Sequence, residues 1–276
     1  MLRVITRGHL LLIVVSLCFM QCGNPSESKK TTDVNTVTAN PEPIIEKQEP
    51  MYTELLNIDF ILGQYNPAKH ESLSKIPIQY TDKADIYLHK EALDQFIHMY
   101  EAAKADGINL VIRSATRNFN YQKSIWEAKW NGSRILSSGI NAAKDIKEPV
   151  VRAAEIMKYS AMPGASRHHW GTDIDMNAFD NAYFESGKGK LEYDWLVANA
   201  NTYGFYQVYT PKGAERPSGY EEEKWHWTYK PVSKHLTAFA KEQLSDTTFH
   251  NFSGSELAPE LKVVSDYVLG IHPNCH

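Results

Sequence analysis

Two stretches that lie far apart in this chain both carry metal-type ligands, and bringing them together constrains the fold more than any other feature. The first runs from Ser166 to Asp175 and holds His168, His169, Gly171, Asp173 and Asp175. A divalent metal such as zinc is bound by neutral imidazole and carboxylate donors converging on one point, so this density reads as half of a metal site. Gly171 can take backbone angles closed to other residues and turn the chain there. After it, Thr172 to Met176 alternates polar and apolar like a short strand, with Asp173 and Asp175 on one face and Ile174 on the other. The second stretch runs from Glu221 to Tyr229, where His226 sits between Trp225 and Trp227 in a β-prone run. With His168, Asp175 and His226 as ligands, a fourth position stays open for water, the arrangement of a catalytic rather than a structural zinc. A carboxylate just upstream of His226 could take that water's proton, and spacing alone does not choose among Glu221, Glu222 and Glu223.

The pattern Ser166-x-His168-x-x-Gly171-x-x-x-Asp175, followed by Glu223-x-x-His226, resembles the zinc D-alanyl-D-alanine carboxypeptidases of the VanY and VanX type. A third element agrees. The segment from Ile112 to Asn118, with Tyr121 and Gln122 after it, is similar to the family's serine-glycine-tyrosine-arginine-serine segment, whose arginine serves the substrate. The three elements occur in the family's order. The resemblance implies Zn2+ held by His168, Asp175 and His226, with Glu223 chosen as the acid and base. It assigns Arg117 to the substrate and to the oxyanion that develops on an attacked carbonyl, and Ser166 and Gln122 to substrate binding. Arg113 is the competing arginine, and its place one step after Ile112 reads as a structural pairing or a solvated edge. His169 keeps a structural reading, because the family takes the first histidine of the pair. Asp173 stands where the commoner pattern has a small apolar residue, and it stays outside the ligand set.

The fold implied is α+β, a single domain with a small antiparallel sheet carrying the zinc site and helices packed against it. The substrate implied is the peptide stem of peptidoglycan, cut at its terminal D-Ala-D-Ala bond. The family also contains L,D-carboxypeptidases and endopeptidases, which stand as alternatives. A reading from another class is a noncatalytic zinc lipoprotein that binds cell wall. Glu223, Arg117 and the open coordination position argue against it, since a binding module has no need of all three.

Residues 1–21 carry Arg3 and Arg7 and then an apolar run from Leu10 to Met20, too short to span a bilayer comfortably and laid out like a secretory signal. Cys22 sits where a bacterial lipoprotein is cleaved and acylated, although Phe19, Met20 and Gln21 depart from the small residues usual before that cysteine. An exported, lipid-anchored protein facing the periplasm is therefore expected, with an ordinary cleaved secretion signal as the alternative. A chain starting at Cys22 keeps only Cys275 as a further thiol, so no intrachain disulfide is available and stability must come from the core. Residues 22–50 are rich in Ser, Thr, Lys, Glu, Asn and Pro and read as a flexible tether. Losing residues 1–21 removes two of 29 basic residues and none of 33 acidic ones. A chain this acidic, with no basic stripe, is a poor partner for nucleic acid. Nothing in the pattern speaks to oligomeric state.

The catalytic domain is expected over residues 51–244, followed by a C-terminal tail, 245–276. Phe60 to Ile78 reads as irregular structure packed on the outside. Apolar spacing predicts a helix over Lys90 to Ala105 ended by Gly107, a strand over Ile108 to Arg113, and a helix over Asn118 to Trp130 that turns Tyr121, Gln122 and Ile125 to the core. Helical structure from Gly139 to Tyr159 is interrupted near Pro149, which suits a first helical turn. Asn177 to Lys190 reads as a loop, Tyr193 to Tyr203 as a helix ended by Gly204, Phe205 to Tyr209 and Trp225 to Tyr229 as strands, and Val232 to Leu244 as a closing helix. His235, His250, His272 and His276 have no ligand-like neighbours in sequence and are read as structural or exposed.

Overall fold

The structure is a computed structural model and describes residues 52–276; the expectations on the leader, the tether and Cys22 lie outside the described residues. Among the described residues, six short strands make two sheets. Strands β1 (Leu73–Lys75) and β2 (Tyr87–His89) form an antiparallel pair. Strands β3 (Ile112–Ser114), β4 (Asp173–Met176), β5 (Phe205–Gln207) and β6 (His226–Tyr229) form an antiparallel sheet in the order β3-β4-β6-β5. Its register puts Asp175 opposite His226 and Asp173 opposite Thr228. Residues directly opposite on neighbouring strands point to the same face with their Cβ atoms about 5 Å apart, so the ladder itself brings these side chains together.

Helices cover the sheet: α1 (Ile58–Ile61), α2 (Lys90–Ala105), α3 (Phe119–Trp130), α4 (Ala142–Asp145), α5 (Pro149–Ile156), α6 (Gly187–Asn199), α7 (Lys230–Gln243) and α8 (Ala258–Leu261). The expected α+β architecture is present. In α2 the buried residues Ala92, Leu93, Phe96, Met99 and Ala103 recur at helical spacing, which is why its periodicity is readable. Pro149 occupies the first turn of α5, where its missing N–H costs nothing. No helix among the described residues is long and apolar enough to cross a membrane.

Several expectations are corrected. The segment from Phe60 to Ile78 is not on the outside, because Phe60, Ile61, Leu62 and Ile76 are buried in the main core and Leu73 is buried as well. Short elements bury these side chains without a repeating pattern. Strand β3 begins at Ile112 rather than Ile108; just before it, the Val111 N–H donates to the Asn177 side chain at 2.7 Å instead of to a neighbouring strand. In α3, Tyr121 is 51% exposed while Trp126 is buried, since this face of the helix overhangs a cleft instead of the sheet. Helix α6 starts at Gly187, inside the expected loop; the Lys190–Asp194 ion pair supports its exposed face, and Lys188 reaches in to the buried Glu192. Gly189 is demanded there by crowding, as a Cβ would overlap the Tyr183 carbonyl oxygen. The segment 245–276, set apart as a tail, is packed into the domain: Phe249, Phe252, Val263 and Val268 join the main core, and Ile271 and Cys275 join a smaller cluster with Val208, Tyr209 and Tyr220. Cys275 is a free thiol.

Candidate active site

Ser166 leads into a single 3-10 turn, Arg167–Trp170, which Gly171 ends at φ 68°. A Cβ on Gly171 would stand 2.7 Å from a Leu73 methyl and 3.2 Å from the Thr116 hydroxyl, so glycine is required for both conformation and space. The turn aims His168 back at β4, where Asp175 faces His226 across the ladder. One ligand atom from each of His168, Asp175 and His226 lies within 4.8 Å of the others, and all three residues are buried.

Hydrogen bonds fix which ring nitrogen of each histidine is free. His168 Nδ1 sits 2.9 Å from the Ala115 carbonyl, which only accepts, so Nδ1 carries the proton and Nε2 offers a lone pair. Nε2 is buried with no hydrogen-bond partner, as is Asp175 Oδ1. His226 Nε2 lies 2.9 Å from Asp173 Oδ2, leaving Nδ1 to face Asp175 Oδ1 at 3.3 Å and Glu223 Oε2 at 3.1 Å. The unpartnered His168 Nε2 and Asp175 Oδ1, converging with a His226 Nδ1 that gives up its proton when a cation takes its place, fit a divalent metal. Burial works against a charge on His226, but its bonds to Asp173, Asp175 and Glu223 outweigh this and hold its proton well above the ordinary histidine range. Burial depresses the basicity of His168. Burial also lifts the Glu223 carboxyl above its usual value, an effect the His226 bond opposes.

Asp173, kept outside the ligand set, stands behind His226. Its carboxylate accepts from Arg167 Nε at 3.0 Å, Thr172 Oγ1 at 2.9 Å and Thr228 Oγ1 at 2.5 Å, besides holding His226. Arg167 is itself 1% exposed and also donates to Thr237 at 2.9 Å. Burial opposes the charge on Asp173, yet Arg167 and His226 keep its carboxyl well below the usual carboxylate range. The alternation that puts Asp173 on the Asp175 face was the available signal; the buried arginine beneath it had none.

Arg117 reaches the site from the loop after β3, with Nη1 3.7 Å from Asp175 Oδ2 and 3.3 Å from Ser114 Oγ. Its backbone is clasped by the histidine pair. The Arg117 N–H donates to the His168 carbonyl at 3.1 Å, and His169 Nδ1 donates to the Arg117 carbonyl at 2.6 Å. His169 Nε2 accepts from the Gly164 N–H at 3.0 Å, which requires the neutral ring, and burial presses its pKa down to about 3. Arg113 pairs with Asp82 at 3.1 Å on a half-exposed edge.

His168, Asp175, Glu223, His226 and Arg117 line a cleft of about 220 Å³, together with Ser166, Lys129, Tyr209, Tyr220 and Trp225. Tyr121, Tyr159 and Phe179 stand at its exposed rim. Gln122 does not line it. Its side chain is 1% exposed and donates to the Ala161 carbonyl at 2.8 Å, so it holds the chain behind the cleft and the substrate contact expected of it is corrected. Glu221 and Glu222 do not line the cleft either. Sequence reasoning missed Lys129, Tyr209 and Tyr220. For Lys129 the only signal was its helical spacing from Gln122.

The family profile of VanY, D-alanyl-D-alanine carboxypeptidase, matches residues 85–232, more than half of the chain and all of the ligand-bearing stretches. The chain belongs to the VanY family. Among curated relatives, this VanY-family chain is 28% identical over 208 residues to the putative carboxypeptidase YodJ of Bacillus subtilis, covering 74% of this chain and 66% of that protein. It is 30% identical over 159 residues to a D-alanyl-D-alanine carboxypeptidase of Enterococcus faecalis, covering 56% of this chain and 54% of that protein. The match thus spans just under two thirds of the first relative and about half of the second. Among solved structures, the VanY-family chain is similar to the LD-carboxypeptidase LdcB, at 22% identity and TM-score 0.47, over 72% of this chain and 80% of that one. It is similar also to VanYB in complex with D-alanine-D-alanine, at 24% identity and TM-score 0.43, over 61% of this chain and 88% of that one.

Proposed function

We propose that the chain is a zinc-dependent D,D-carboxypeptidase that hydrolyses the terminal D-Ala-D-Ala bond of peptidoglycan stem peptides. The observation that carries this reading is the convergence of His168 Nε2, Asp175 and His226 Nδ1 on one point, with Glu223 against His226 in the same cleft. The D,D preference follows the family's description and the name of the Enterococcus relative.

His168, Asp175 and His226 would hold the zinc, which when bound would supply Lewis acidity at the reacting centre. Glu223 takes the proton of the attacking water and returns it to the departing amine, acting first as base and then as acid. Arg117 donates to the oxygen on which negative charge develops, from a backbone held still by His169. Ser166, buried at the cleft wall, donates or accepts at the peptide. We further infer export through residues 1–21 and lipid attachment at Cys22, which would hold the domain beside its substrate.

The test is mass spectrometry of muropeptide stems incubated with residues 51–276, with and without a chelator. Chelator-sensitive loss of one alanine from pentapeptide stems supports the D,D reading. Loss from tetrapeptides would replace it with L,D cleavage, and split cross-links with endopeptidase activity. No cleavage by the zinc-loaded protein would leave a binding module.

A further inference from the structure

Lys129 is a cation in the wrong place for a structural residue. It lies on α3 with 7% of its surface exposed, and its ammonium bonds to the Ser160 hydroxyl. An ammonium has three donors, so two are unspent on other side chains. Among the described residues no Asp or Glu oxygen stands within ion-pair distance of it. Burying a charge without a partner is unfavourable, and an anion seated against it offsets part of that cost. The neighbours press the same way. Burial, then Arg134 and Arg117, lower its pKa to about 8, and only Glu223 opposes them from farther than contact.

Its position is also fixed. Gln122 and Lys129 lie at i and i+7 on one face of α3, and they hold the consecutive residues Ala161 and Ser160. This anchorage sets the ammonium where the catalytic cleft joins a neighbouring groove of about 550 Å³, since Lys129 lines both. Arg134 lines the cleft nearby.

We propose that Lys129 is a specificity-determining residue whose ammonium receives a carboxylate of the substrate peptide, with Ser160 holding it in place. This rests on the reading of the site as a carboxypeptidase. Two carboxylates have the required chemistry: the C-terminal one of the stem, and the side-chain one of a diaminopimelate residue farther back.

The test compares the wild type with Lys129→Met, a near-isostere without charge, at equal zinc content and comparable melting temperature. Substrates are a pentapeptide stem, its C-terminal amide, and stems bearing diaminopimelate or lysine at the third position. The wild type should favour the acid over the amide, and Lys129→Met should lose about tenfold or more of that preference through KM while kcat is kept. Loss confined to the preference for diaminopimelate over lysine stems would assign the side-chain carboxylate instead. If neither preference moves, the proposal is overturned. Lys129→Gln, which can keep the Ser160 bond, replaces the methionine variant if that one does not fold. A wild type inactive on every stem would refute the carboxypeptidase reading alone, and calorimetric binding of the stems to both proteins would then decide the subsite: weaker binding to the variant supports it, equal binding overturns it.

Discussion

Replacing Asp173 with asparagine should damage stability and metal binding separately, in amounts the structure sets. The carboxylate receives Arg167 Nε, the Thr172 and Thr228 hydroxyls, and His226 Nε2. Asparagine offers one acceptor oxygen and turns the other position into a donor, so at least one of these groups then faces an N–H. Both Asp173 and Arg167 side chains are 0% exposed, so the guanidinium is left as a buried charge without its anion. Breaking a buried pair from one side costs about 3–5 kcal/mol. For a domain of this size, each kcal/mol moves the melting temperature by about 2–4 °C, giving a fall of about 6–20 °C in the metal-free protein. Loss of the group that orients a ligating histidine weakens metal binding by about 10–100-fold. Calorimetric melting without metal and competition titration with a zinc chelator measure the two effects. Adding Arg167→Met to Asp173→Leu should recover part of the stability, because an apolar pair replaces the ionic one, yet leave zinc affinity low. An Asp173→Asn protein that melts within about 2 °C of the wild type and binds zinc equally would refute this account.

Glu223→Gln should abolish hydrolysis, by at least about 10²–10⁴-fold, while zinc stays bound; an active, metal-replete variant would sink the acid-base assignment. Gly171→Ala should lower stability by about 1–3 kcal/mol in urea unfolding, since it imposes φ 68° on an alanine and a 2.7 Å approach to Leu73. In the metal-free protein the carboxylates keep a proton on His226 although burial opposes it, while burial keeps His168 neutral. Zinc binding at about pH 6.5 should therefore release about one proton, read from calorimetry in buffers of different ionisation heat, and a release near zero would contradict it.

The site was legible in sequence wherever the fold obeys a short repeat. Asp173 and Asp175 alternate with Ile174 because β4 has period two, so their shared face could be read directly. Helix α2 was readable because a full-length amphipathic helix repeats its buried face. Gly171 marked its turn because other residues rarely take its backbone angles. What stayed hidden depends on partners distant in the chain. Arg167 looks like any charged residue until Thr237, on α7, is known to lie beside it. Gln122 gave no sign that its partner would be the Ala161 carbonyl rather than a ligand. Phe60 to Ile76 and Phe249 to Ile271 fill core space through turns of a few residues each, which carry apolar side chains without periodicity. A reading built on hydrophobic spacing passes over such segments.

The adjacent histidines have a consequence for how this protein comes apart. His168 and His169 together tie the 164–171 segment to the backbone at Ala115 and Arg117, and the Tyr65 hydroxyl closes the same knot from the His169 carbonyl. Adjacent residues of one buried turn carry these bonds, so lifting that turn from the Arg117 loop breaks all of them in one step. The segments bearing Arg117 and His168 then share one opening event instead of fraying in turn. Amide exchange at Gly164, Arg117 and His169 should report the same opening free energy, and inactivation on heating should coincide with zinc release rather than precede it.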